Sequence, residues 1–245
     1  MSETGEKQSK RPSLPKRFYR AVTVSAGPEG ARILLDGKPI RTPAKRELAL
    51  PTAALAEAVA AEWEAQGTHI DPGTMPLTRL VNLALDGVAG REAEVRADIA
   101  KYAANDLLCY RAEAPAELVR RQAEAWDPIL AWARSELDLQ LTTAQGIVPV
   151  TQPEASIDTI AAALAGRDAY ALAALHVITT LTGSAVLALA HGTGQLSAEA
   201  AWGAAHIDED WQISQWGADR EAEARRASRW AEMQAASRLL ALLGG

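Results

Sequence analysis

The sequence predicts an α+β fold: a small N-terminal part with a few antiparallel strands and helices, followed by a larger all-α helical domain. Three observations carry this reading. Alanine makes up about a fifth of the 245 residues, and it favours helices because it loses no side-chain entropy there. Strand-like runs stop near Leu50, and beyond it apolar residues recur with a helical period. Strands gathered at one end and helices at the other mean segregated parts, not an alternating βαβ chain.

In chain order, FYRAVTVS (Phe18–Ser25) and ARILLD (Ala31–Asp36) read as a hairpin, with Gly27-Pro28-Glu29-Gly30 as the loop. Asp36-Gly37 starts a second turn, Pro39 to Thr42 is extended, and Glu47 to Leu50 is a candidate strand. Thr52 is placed to cap a helix on which Leu55, Val59 and Trp63 share one face, ended by Gly67. A Gly/Pro-rich loop leads to a short helix marked by Leu80, Leu83 and Ala84, which stops near Gly87 and Gly90. Helices are then expected at Arg91–Leu108, Ala116–Leu137, Ser156–Ala165, Asp168–Ala190, Ser197–Gln215 and Ala218–Leu243. Pro128 either kinks the second of these or restarts it with Asp127 as N-cap. The division expected is a disordered tail over residues 1–16, an N-terminal α+β domain over 17–90 and a helical domain over 91–245.

Several function classes fall early. A net charge of −6 argues against a nucleic-acid partner, which selects for the opposite sign. The single cysteine, Cys109, excludes an internal disulfide, and its apolar neighbours suggest a buried, inert thiol. The N-terminus has no apolar core of a secretory signal, and Glu3 and Glu6 speak against a transit peptide. Ala169–Ala190 lacks formal charge over a membrane-like length, but its Thr, Ser, Gly and His residues fit a buried central helix better. No phosphate-binding loop surrounds Gly37-Lys38, and Gly183-Ser184 lacks a nucleophile-elbow frame. No cofactor is therefore expected. His206, Glu209 and Asp210 stand at i, i+3 and i+4, which leaves a metal-dependent enzyme or a small-molecule-binding module as the alternative function.

The Ser197–Gln215 segment carries two apolar stripes. One holds Ala200, Ala204, Ile207 and Trp211; the other holds Trp202, His206, Glu209, Ile213 and Trp216. A surface helix needs only one such face, so the second stripe is either a core edge or a partner surface.

The segments DGKPIRTP, EWEAQG, MPLTRLVNLALD, YAANDLLCYRAEAP, QAEAWDPILAW, TGSAVLALA and HIDEDWQISQWGADREAE appear in this order between Asp36 and Glu223. In this they resemble the ATP synthase assembly chaperones of the assembly factor 2, or Atp-twelve, type. The resemblance runs from about Arg17 to the C-terminus. It implies a non-enzymatic chaperone that binds the free alpha subunit of the catalytic head and shields its beta-facing interface until beta replaces it. A monomeric protein without nucleic-acid partner or membrane insertion is implied, acting in a bacterial cytoplasm, or in the mitochondrial matrix if the source is eukaryotic. For partner binding, the resemblance points to Asp208, Glu209, Asp210, Gln212, Trp216, Asp219 and Glu221, and the second stripe adds Trp202. Trp63, Asp106, Trp126, Asp127 and Pro128 are assigned to folding, with Arg79 or Arg111 as the candidate partner of Asp106.

Overall fold

The computed structural model describes residues 14–28, 30–146 and 149–244, and within them the α+β fold class holds, a small antiparallel strand region followed by many helices. Strands β1 (Val22–Gly27) and β2 (Gly30–Leu35) pair antiparallel with Val22 opposite Leu35, as the hairpin reading requires; Glu29 at its tip lies outside the described residues. Short strands β3 (Lys38–Pro39) and β4 (Ala49–Leu50) both pair with β2. Ile33 and Leu35 point from β2 into the core, while β1 is exposed over most of its length. Of the expected tail, residues 1–13 lie outside the described residues; the Pro15 carbonyl accepts from Ile70 N–H and Lys16 bridges to His69.

Helix α1 (Ala53–Glu64) starts at the Thr52 cap, whose hydroxyl accepts from Leu55 N–H and donates to the Leu242 carbonyl. Leu55 and Val59 are fully buried; Trp63 is half-buried, set edge-on to Tyr19. Helix α2 (Pro76–Leu83) runs into a single π-turn over Ala84–Val88, with Leu80 and Ala84 buried but Leu83 turned to the surface. These elements pack on α6 (Ala169–Thr182) and α10 (Arg220–Leu243), so one hydrophobic cluster runs through both parts.

Three expected helices are broken. The first ends at Lys101 as α3 (Glu92–Lys101) and passes into 3₁₀ turns around Asp106. The central one splits into α6 and α7 (Ala185–Gly192). Gly183, at φ +69°, ends α6 in the left-handed region, and Ser184 caps α7 by accepting from Leu187 N–H. Among the described residues, no helix is long and apolar enough to cross a membrane. The third splits at His206 into α8 (Ala198–Ala205) and α9 (Ile207–Trp216), which breaks the single helical phase behind the two-stripe reading. By contrast α4 spans Ala116–Leu137 as read, continuous through Pro128. Pro128 is exposed, so the carbonyl left without its N–H can turn to water. Helix α5 covers Glu154–Ala163. A parallel pair, β5 (Tyr110–Arg111) with β6 (Ala144–Gln145), has no counterpart in the sequence reading, because two-residue strands carry no periodicity.

A methyl group at Gly183 would meet only ordinary contact with Leu107, so Gly183→Ala isolates the cost of the backbone conformation. The expected loss is about 1 kcal/mol, a drop of ~2–4 °C in melting temperature. A calorimetric scan checks it.

Candidate partner-binding surface

The break at His206 decides where the chemistry-bearing residues point. The imidazole caps the end of α8 and lies against Trp202, ring centroids 3.8 Å apart, with Nδ1 2.8 Å from the Trp202 carbonyl. Burial, the largest influence, holds the His206 pKa below its ordinary value and keeps the ring neutral. Trp202 also packs on Trp230 and is buried. The structure thus places Trp202 and His206, of the second stripe, inside, while Ala200 of the first is exposed.

Helix α9 buries none of its residues completely. Its inner side is held by polar ties. Asp208 Oδ1 accepts from Gln122 Nε2 at 2.6 Å, and the buried Gln122 in turn accepts from Ala112 N–H. Trp211 lies beneath the Arg121 guanidinium, 5.2 Å from its ring centroid. Asp210 pairs with Arg226 of α10 at 2.5 Å, and Glu209 lies 4.0 Å from the same guanidinium. Asp219 caps α10 by accepting from Ala222 N–H, and Glu221 pairs with Arg225 at 2.7 Å on the exposed first turn.

The outer side is open. Trp216 is 79% exposed, the most exposed of the large hydrophobic side chains described. It borders a groove of about 320 Å³ between α9 and the start of α10, with Glu209, Gln212, Ile213, Asp219 and Arg226 among the lining. Glu209, Gln212, Trp216 and Asp219 are therefore gathered at one place. Asp210 stands beside them, Asp208 turns towards α4, Glu221 lies one turn along α10, and Trp202 is interior. Sequence reasoning does not reach Arg226: its role depends on α10 crossing α9, which a sequence period does not reveal.

The residues assigned to folding divide by depth. Trp126 is fully buried and its Nε1 donates to the Ala204 carbonyl at 2.7 Å, pinning α4 to the end of α8. Asp127 and Pro128 lie at the surface of α4. Asp127 pairs with Arg111 at 2.8 Å, and that guanidinium lies over the Trp126 ring. Arg111 and Arg79 are not the partners of Asp106: Arg79 approaches Glu232 instead. Asp106, fully buried, accepts through Oδ1 from Leu108 N–H and through Oδ2 from Val186 N–H at the start of α7. Cys109 is fully buried, and burial pushes its thiol up to about 12.

Among the described residues, no group of three His, Cys, Asp or Glu side chains is arranged to hold a metal ion. His206 Nε2 stands 3.9 Å from Glu209, while Asp210 is engaged by Arg226.

A family profile described as ATP12 chaperone protein matches residues 16–134. Among solved structures, Atp12 from Paracoccus denitrificans is 44% identical, with a TM-score of 0.88, covering 94% of this chain and 98% of that one. A mutant of the same organism's Atp12p, with an aspartate replaced by lysine, is 43% identical at TM-score 0.88, covering 94% and 100%. The Atu1473 protein of Agrobacterium tumefaciens, proposed as a chaperone, is 48% identical at TM-score 0.89, covering 94% and 87%.

Proposed function

This chain belongs to the ATP12 chaperone family, and from that premise we propose that it assists assembly of the ATP synthase head by holding the unpaired alpha subunit. The observation that carries the reading is the groove between α9 and α10, with Trp216 at 79% exposure on its rim and carboxylates around it. A large exposed aromatic beside desolvatable charges is the usual make-up of an interface centre. Alpha without beta exposes an apolar surface built for an obligate contact, and such a surface aggregates unless covered. A chaperone that covers it and yields to beta needs binding chemistry alone, which suits a surface of tryptophan and carboxylate groups. The protein acts as a monomer in the cytoplasm in this reading.

Separately expressed alpha and beta subunits test it: alpha is expected to co-purify with the chain, and added beta to release it. Capture of beta alone would overturn the assignment. Trp216→Ala is expected to leave the melting temperature within the effect of ~0.5 kcal/mol while weakening alpha capture more than tenfold. Thermal melts and a titration of alpha check both halves.

A further inference from the structure

The surface charge is strongly divided along the chain. Between Leu14 and Arg46 stand eight Lys and Arg against two Asp and Glu, a local net charge of +6 in a chain whose total is −6. This basic segment forms the strand part, on which the acidic α9–α10 surface does not lie. It also carries a second groove, of about 410 Å³, lined by Phe18, Tyr19, Lys38, Ile40, Arg41 and Trp63 among others. Phe18 is 72% exposed at its rim. Its ring stands in a T-shaped arrangement with Tyr19, with centroids 5.4 Å apart. The Lys38 side chain has no hydrogen bond or ion pair among the described residues, and Arg41 donates to the Lys45 carbonyl without a carboxylate partner among them. The one carboxylate in the lining, Asp36, is spent on the backbone: it accepts from the N–H groups of Arg20 and Ala21.

We infer that this groove is a second docking site, which takes an acidic, extended segment of the captured subunit with one apolar side chain seated beside Phe18. Charge complementarity selects the occupant: two exposed cations, neither paired with Asp36, flank an apolar cleft with room for one large side chain. An anionic lipid surface fits less well. The cleft is concave, and the neighbouring exposed strand β1 presents Thr23, Ser25 and Ala26 around a single larger apolar side chain, Val24, which is little to insert into a bilayer. With an acidic surface on α9–α10 and a basic one on the strand part, the chain holds its client at two points of opposite sign. Linked contacts of this kind strengthen capture through effective concentration and let beta displace them one at a time.

This inference rests on the capture of alpha proposed above. Its test measures binding of purified alpha subunit to the full chain at several salt concentrations, for wild type, Phe18→Ser and a Lys38→Glu/Arg41→Glu double variant. All three side chains are exposed or at the rim, so unchanged thermal melts are expected. The double variant should bind at least tenfold more weakly with a shallower salt dependence, because exposed charge pairs are screened by salt. Phe18→Ser should weaken binding several-fold with the salt dependence retained. Failure of wild type to bind alpha overturns the assignment of alpha as client and this inference with it. Capture by wild type and by both variants at equal affinity overturns the second site alone. The second site also falls if both variants keep alpha but lose binding to vesicles of phosphatidylcholine and phosphatidylglycerol, since the groove would then be a lipid contact.

Discussion

Replacing Asp106 with leucine should destabilise the fold by about 3–5 kcal/mol, a large share of the ~5–15 kcal/mol that separates folded from unfolded chains. Asp106 is fully buried and is surrounded by donors. Its carboxyl accepts from Leu108 N–H and Val186 N–H, and the Ser184 hydroxyl and Ala185 N–H also address it. Leucine would leave these groups buried without acceptors, at ~1–3 kcal/mol each. It would also remove a negative charge from the start of α7, where the helix dipole favours one. Burial, the dominant influence, raises the carboxyl pKa to about 6, against which the surrounding donors pull downward. The folded value lies above the unfolded one, so between about pH 4 and pH 6 the folded chain retains a proton that the unfolded chain has lost. The contribution of this group to stability therefore falls as pH rises through that window and is level above it. Denaturant titrations from pH 4 to 7 should show the advantage of wild type over Asp106→Leu shrinking by ~1–3 kcal/mol as pH rises. A difference independent of pH would mean that the carboxyl stays ionised throughout.

That same residue shows how far the sequence can be read. Its place on the stripe of Val95, Ile99 and Tyr102 marks Asp106 as half-buried and in need of a partner, and the structure buries it completely. An arginine is the natural expectation for a lone buried carboxylate. The structure instead satisfies it with the N–H groups left without a helical acceptor at a helix start, and that helix exists only because Gly183 and Ser184 interrupt the central apolar run. The signal is present in the chain: a glycine that can end one helix, followed by a serine that can cap the next. It is legible only as a small pair suited to close packing, because hydropathy is uniform on both sides of the break. Where local chemistry and period agree, the reading holds, as in the Thr52 cap of α1 and the bounds of α4. The two stripes fail for the opposite reason. They assume one uninterrupted phase from Ser197 to Gln215, and the turn at His206 rotates α9 so that Trp202 packs inward and Trp216 faces out. What the sequence cannot supply at the surface is Arg226, since the meeting of α9 with α10 is a tertiary fact.

Glu209→Lys should abolish capture of the alpha subunit while the protein melts close to wild type. Glu209 leaves 39% of its side chain exposed and lines the groove with Trp216, Ile213 and Gln212. Its internal ties are loose: Arg226 at 4.0 Å and the neutral His206 at 3.9 Å, whereas Asp210 makes the close pair with Arg226. Half-exposed pairs at such distances contribute ~0–1 kcal/mol, so the folded state loses little when the carboxylate goes. Binding is a different matter. A partner covering Trp216 also covers Glu209 and strips water from it, and a basic group of the partner must then meet the carboxylate. Breaking one side of a desolvated pair costs ~2–5 kcal/mol, and a lysine adds repulsion both to that partner group and to Arg226. Since each ~1.4 kcal/mol is tenfold in affinity, capture should fall by well over an order of magnitude. Glu209→Gln separates the contributions: it keeps the shape and removes the charge, so it should lie between wild type and lysine in affinity. The measurements are the melting temperature of each variant and the fraction of unpaired alpha subunit each keeps in solution. Unchanged capture by the lysine variant would move the alpha-binding face away from this groove. A collapsed melt for lysine but not for glutamine would show that Glu209 acts by balancing the Arg226 charge within the fold.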